Sequence, residues 1–215
     1  NEDEILVDIK DSLFDIQHLI LNTSYGQLSL KGSSNMLNGD IDIKSEYKLD
    51  IANILNKYEN NLSAHGDANL TASIAGTIKE PIIIGKLIIE PSILSFKDMP
   101  LDINIDRSEV KISNESIDIS SFQGRMGWGN FNILGSVKID NFVPKYLNLV
   151  FDLSSCLLSI PKVGDGRGNL NLQAEGEIPG FLVKGNINIL DLSIVKKIEL
   201  LARKKEQLMI KNDIK

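Results

Sequence analysis

Apolar side chains recur at every second position along most of this chain, and the stretches that carry them restart at glycines. Leu101, Ile103 and Ile105 alternate with Asp102, Asn104 and Asp106, and Leu170 and Leu172 alternate with Asn169, Asn171 and Gln173. A period of two marks a strand with one apolar and one wetted face. The same phrase, a glycine followed by alternating polar and apolar residues, opens at Gly26, Gly129 and Gly168. The pattern predicts one long, repetitive, one-sided β surface, better suited to holding something apolar than to chemistry.

Strands are predicted over 5–9, 13–21, 27–31, 40–44, 68–74, 82–89, 93–96, 101–105, 109–112, 116–120, 130–139, 147–153, 169–174, 182–190 and 192–195. Turn signals separate them at Asn38-Gly39, Lys97 to Pro100, Ser113-Asn114-Glu115 and Gly164-Asp165-Gly166. Connections this short exclude a parallel sheet with crossover helices. One segment breaks the period: between Asp50 and Asn60, Ile51, Ile54, Leu55 and Tyr58 fall at helical spacing behind an Asp50 N-cap. This predicts one short helix plugging an end or rim of the sheet.

An internal echo recurs at an offset of one hundred residues. Asn69, Leu70, Gly76, Ile78, Gly85 and Ile89 match Asn169, Leu170, Gly176, Ile178, Gly185 and Ile189. Each copy is expected to form one unit of three strands punctuated by the two glycines, with the second hairpin altered where Ile178-Pro179-Gly180 replaces the first turn. Residues 1–195 form the repetitive β segment, and residues 196–215 form a basic tail, helical or holding further strands. The tail carries seven basic and three acidic residues. The chain starts and stops in mid-pattern, so a piece of a longer protein is expected, with its sheet continued at both ends by the rest of that chain.

A net charge of −6 and a pI near 5.0 leave no basic face for nucleic acid. No run reaches the eighteen or so apolar residues of a membrane helix. Cys156 is the single cysteine and, beside Leu157 and Leu158, reads as a buried thiol. The chemistry of catalysis is not visible. His18 and His65 stand outside any metal-ligand spacing, the glycine clusters lack a phosphate-binding lysine, and no Gly-x-Ser-x-Gly elbow occurs. Ser-x-x-Lys appears at Ser45, Ser108, Ser159 and Ser193 without its companion motifs. No enzyme, metal or cofactor is expected.

The order of motifs from Gly66 to Ile139 carries a resemblance. Ala75-Gly76-Thr77-Ile78-Lys79-Glu80-Pro81 is followed by Gly85-Lys86-Leu87-Ile88-Ile89-Glu90, then by Phe96 to Ile103 and Val110 to Ile119. The stretch closes with Gly127-Trp128-Gly129-Asn130-Phe131-Asn132-Ile133-Leu134-Gly135. This order resembles the C-terminal region of the TamB family, within the AsmA-like inter-membrane bridge proteins. The resemblance implies an all-β, elongated, U-shaped sheet, a β-taco, with an apolar trough. It further implies a periplasmic segment of an inner-membrane-anchored protein in a diderm bacterium. The implied task is movement of phospholipid acyl chains toward the outer membrane, linked to outer-membrane protein assembly through a TamA-type β-barrel partner. The family brings no catalytic residues.

The alternation assigns the trough lining to Leu101, Ile103, Ile105, Ile117, Ile119, Phe131, Ile133, Leu170, Leu172, Ile187 and Ile189, with Asp102, Asn104, Asp118 and Asn132 facing outward. Roughly fourteen stacked strands would give a groove of about 65 Å. The rival expectation is a structural or interaction module, a β-solenoid whose apolar stripe is a closed core.

Overall fold

Alternation of this regularity gives each strand one apolar and one polar face, and edge-to-edge pairing satisfies the backbone groups while gathering the apolar side chains on one side of a sheet. The computed structural model describes residues 4–55, 61–97, 102–160 and 164–194. Of these, 81% lie in strands of one open, wholly antiparallel sheet. The elements are β1 (Glu4–Lys10), β2 (Leu13–Thr23), β3 (Gly26–Asn35), β4 (Asp40–Asp50), α1 (Ile51–Leu55), β5 (Leu62–His65), β6 (Asp67–Thr77) and β7 (Pro81–Ile89). They continue with β8 (Ser92–Phe96), β9 (Asp102–Ile105), β10 (Ser108–Ser113), β11 (Ser116–Met126), β12 (Gly129–Asp140), β13 (Val143–Ile160), β14 (Gly164–Glu177) and β15 (Leu182–Ile194).

Twelve strands form the main path, in the order β1-β2-β3-β4-β6-β7-β10-β11-β12-β13-β14-β15. The other three, β5, β8 and β9, prolong β6, β7 and β10 beyond short breaks. They pair with one another, and β9 joins the far half of β11 while β10 holds its near half. The breaks lie side by side at Gly66, Glu90-Pro91 and Asp106-Arg107, so they form a crease across the sheet. The stacking length is therefore eleven steps of about 4.8 Å, or about 53 Å, shorter than fourteen strands in file would give.

Crowding along the crease explains its residues. Ala64, Ala68, Ser92, Ile105 and Ser108 are the buried side chains there, all small except Ile105. Each buried serine begins the strand after a break, and its hydroxyl donates to the carbonyl two residues back: Ser92 to Glu90 at 2.6 Å, Ser108 to Asp106 at 2.9 Å. These bonds satisfy groups that the broken ladder would leave unpaired. Gly66 has φ +140°, and a Cβ there would meet the Ser92 hydroxyl at 2.1 Å. All of this burial falls on the apolar face.

Several expectations are corrected. Gly164-Asp165-Gly166 is not a turn but the start of β14, where a Cβ on Gly166 would lie 2.2 Å from the Asp191 carbonyl oxygen. Predicted strands 182–190 and 192–195 are one strand through Ile194, running on through a bulge at Leu190. β5 was not predicted at all. The echo forms two-strand hairpins, not three-strand units, and its second copy keeps the register of the first: Asn69 faces Ile88 and Leu70 faces Leu87, while Asn169 faces Asn188 and Leu170 faces Ile187. Asp50 does cap α1, accepting from the Asn53 amide at 3.3 Å. The helix packs on β5 and buries no residue. Residue 58 of the predicted helix and the tail beyond 194 lie outside the described residues.

Candidate functional site: an uncharged apolar face

Cross-strand partners share a face, so the register sorts the side chains. One row runs Ile187, Leu170, Leu153, Phe131, Gly124, Ile105 and Ser92. The next carries Leu172, Phe151, Ile133 and Phe122. A third crosses nearly the whole sheet through Ala174, Leu149, Gly135, Ile119, Val110, Leu87, Leu70, Tyr47, Leu28 and Leu21. All three rows lie on the same face.

Ten of the eleven residues that alternation assigns to the lining, Ile103, Ile105, Ile117, Ile119, Phe131, Ile133, Leu170, Leu172, Ile187 and Ile189, sit together on it. Leu101 lies outside the described residues. Asp102, Asn104, Asp118 and Asn132 fall on the opposite face. Among the described strand residues no Asp, Glu, Lys or Arg falls on the apolar face. Among its polar members, the Tyr47 and Thr23 hydroxyls bond each other at 2.6 Å, and Ser45 donates to the Ala72 carbonyl.

This face is not a closed core. Among the described residues only six hydrophobic side chains are buried, namely Ala64, Ala68, Ile105, Leu147, Cys156 and Ala174. Most others on the face are half-buried, and Ile187 and Ile189 on the last strand are 63% and 48% exposed. The Phe122 and Phe131 rings meet at 6.0 Å across neighbouring strands. An open, antiparallel, charge-free face excludes the closed solenoid, whose strands would enclose their stripe.

Strict alternation missed part of this face because the strands bulge. Ile16 and Leu19, Ile119 and Phe122, Leu153 and Cys156, and Ile189 and Leu192 are each three apart yet share the apolar side, with a register shift between the members of each pair. A bulge inserts one residue and restores the face. The signal was present as apolar pairs split by two residues, twice by Ser-Ser. Ser155 takes φ +53°, and the Asn169 side chain accepts its amide at 2.8 Å. Cys156 is fully buried behind that bulge, its thiol directed at the Asn130 carbonyl, and burial pushes its pKa up.

The polar face carries the ionised groups. Lys86 and Glu109 pair at 2.7 Å, which holds the Glu109 carboxyl below its usual range. Arg167 grips Asp191 through its side chain at 2.7 Å and its backbone amide at 3.0 Å, fixing the bulge of β15 and lowering the Asp191 pKa. The Glu175 carboxylate accepts from the Tyr146 hydroxyl at 2.8 Å and raises its pKa. Shallow hollows open on this side. One of about 630 Å³ is lined by amides including Asn130, Asn132, Asn171 and Asn186, and one of about 550 Å³ by Lys31, Lys44, Thr71 and Lys86. Amide, acidic or lysine side chains stand in each of these hollows, whereas the apolar face carries no charged side chain among the described strand residues, so that face is the better candidate site. Among the described residues no helix is long and apolar enough to cross a membrane, and no acid, histidine and cysteine cluster could hold a metal. Comparison with protein-family models, with characterised proteins and with solved structures finds no match to this chain.

Proposed function

We propose that this chain conducts phospholipid acyl chains along its apolar face, as part of a bridge between the inner and outer membranes of a diderm bacterium. The observation that carries the reading is the combination of length, openness and absent charge: about 53 Å of stacked strands, half-exposed, with no ionised group among the described strand residues of that face. A conduit must let a tail slide. Fixed polar groups would hold a ligand at one place, whereas Ile, Leu and Val rows offer the same environment at every strand. Each CH₂ withdrawn from water gains about 0.8 kcal/mol, so a shallow trough suffices without a headgroup site. One leaflet's acyl region is about 15 Å deep, half of the bilayer core, so the face could shelter several tails in file.

The resemblance to TamB proteins supplies the rest of the proposal: a periplasmic position, an inner-membrane anchor elsewhere in the protein, and a TamA-type barrel partner linking the bridge to outer-membrane assembly. Mass spectrometry of lipids co-purifying with the chain under native conditions is the first test, with phospholipid retained at the apolar face as the expected result. Ile103→Asp in the full-length protein should block lipid passage while Asn104→Asp leaves it intact. Retention of no lipid, or equal transport by both variants with the fold preserved, would leave an interaction module as the better reading.

A further inference from the structure

The polar face is not uniform. Its hollow across β3 to β7 is ringed by Lys31, Lys44, Glu46 and Lys86, whereas its hollow across β11 to β15 is walled by two parallel rows made mostly of amides. One row runs Gln123, Asn132, Asp152, Asn171 and Asn186 on five successive strands. The other runs Asn130, Ser154, Asn169 and Asn188 on four. Two residues separate the rows on every strand from β12 to β15, a distance of about 7 Å. The hollow of about 630 Å³ is therefore a trench between them. Phe131, Leu153 and Leu170 direct their side chains to the apolar face and floor the trench with backbone.

Most of these amides do not hold the sheet together. Asn169 accepts from the Ser155 amide and Asn171 donates to Asp152, but the side chains of Gln123, Asn130, Asn132, Asn186 and Asn188 bond to no described residue. Each is left with a donor and an acceptor side by side. No lysine or arginine lines the trench, and the charged groups in its wall are Asp106 and Asp152. Two residues before Asn130 stands the chain's single tryptophan, Trp128, which is 92% exposed and lines an adjoining hollow of about 380 Å³ with Leu157 and Arg167.

We infer that this trench binds an uncharged oligosaccharide in extended form, with one sugar ring laid on Trp128 at its edge. Neighbouring hydroxyls of a sugar each donate and accept, so a pair of them matches the paired donor and acceptor of one amide. The period also fits. Polar groups recur at every strand, about 4.8 Å apart, which is close to the advance of one pyranose unit in an extended chain, so successive sugars meet equivalent groups. Four steps from β11 to β15 give about 19 Å, room for about four units. The indole offers a flat apolar surface to the C–H face of a pyranose. Other occupants fit less well. A polyanion would meet two carboxylates and no cation. An extended peptide docks by pairing its main chain with a free strand edge, and the main chain of this floor is already paired on both sides. The inference does not depend on a cargo at the apolar face.

The test is calorimetric titration of the chain with cellotetraose and with the tetramer of N-acetylglucosamine, read alongside the emission of Trp128. At least one tetramer should bind, more tightly than its dimer, and shift that emission to shorter wavelength. Asn132→Ala with Asn186→Ala should weaken binding about tenfold, and so should Trp128→Ala, with the circular dichroism of both variants unchanged. Asn148→Ala, on the same face but outside the trench, should bind as wild type. The inference is overturned if neither tetramer binds, if the double asparagine variant binds as wild type, or if binding leaves Trp128 emission unmoved. Tetragalacturonate binding as tightly as the neutral tetramers would overturn it in favour of a surface that selects by charge.

Discussion

The β6–β7 and β14–β15 hairpins are the same object placed in two environments. Their registers coincide residue for residue, and both carry a glycine near the end of the first strand and another within the second. β6–β7 lies inside the sheet between β4 and β10, while among the described residues β15 pairs with β14 alone. Leu87 and Ile89 are consequently half-buried, and their counterparts Ile187 and Ile189 are exposed. Local pattern sets which hairpin forms and where its faces point. Position in the sheet sets what burying those faces contributes. The polar faces have diverged accordingly: Ile84 and Ile88 of the inner hairpin correspond to Lys184 and Asn188 on the edge strand, where charge and amides discourage further pairing.

A charge on the apolar face should separate the two most. Leu87→Asp places a carboxylate between Leu70 and Val110 and is expected to cost roughly 2–4 kcal/mol in denaturant unfolding. Ile187→Asp at the edge should cost about 1 kcal/mol or less. Equal losses would mean that burial does not distinguish the hairpins.

The paired glycines give a sharper contrast. A Cβ on Gly185, at φ +157°, would lie 2.0 Å from the Asn171 carbonyl oxygen, whereas one on Gly85 meets its nearest atom at 3.4 Å. Gly185→Ala should cost about 1–3 kcal/mol and speed amide exchange along β15, while Gly85→Ala should change stability by about 1 kcal/mol or less.

The paired asparagines differ less. Asn169 accepts the amide of the Ser155 bulge, while the carbonyl oxygen of Asn69 is buried without a partner. Asn169→Ala should therefore destabilise by about 1 kcal/mol, and Asn69→Ala by less, because it removes an unsatisfied atom.

Acid should produce the smallest effect and confine it to exposed pairs. Asp191 and Glu109 have folded pKa values lowered from 3.8 and 4.5 by Arg167 and Lys86 respectively. Their stabilisation is present above those values and is lost as pH falls through the lowered folded ones. Amide exchange near Leu190 should accelerate in that window, and Asp191→Asn should remove the pH dependence there. The β6–β7 hairpin is not clamped within itself, because Pro91 occupies the position that matches Asp191; its Lys86 pairs instead with Glu109 on β10.

Much of this fold was legible because period-two alternation is a direct record of which side of a strand meets water. Asn104 and Ile103 were sorted by that alone. The crease was not legible. Its marks are single residues, Gly66, Pro91 and the serines at 92 and 108, whose meaning depends on neighbours distant in sequence lying abreast. β5 offered only Leu62 and Ala64, too short a run to show a period. The glycines at 164 and 166 looked like a turn because a close approach between backbones and a chain reversal call for the same residue. At the bulges the alternation slips by one, so Phe122, Cys156 and Leu192 dropped out of the lining even though an inserted residue returns them to it.

The central claim is that tails travel along one face of this sheet and not the other. Photo-crosslinkers placed at Ile103 and at Asn104 in the full-length protein test it most directly, since the two positions are adjacent in sequence and opposite in face. Phospholipid captured at Ile103 and not at Asn104 is the predicted result. Equal capture at both positions, with the fold intact, would contradict it.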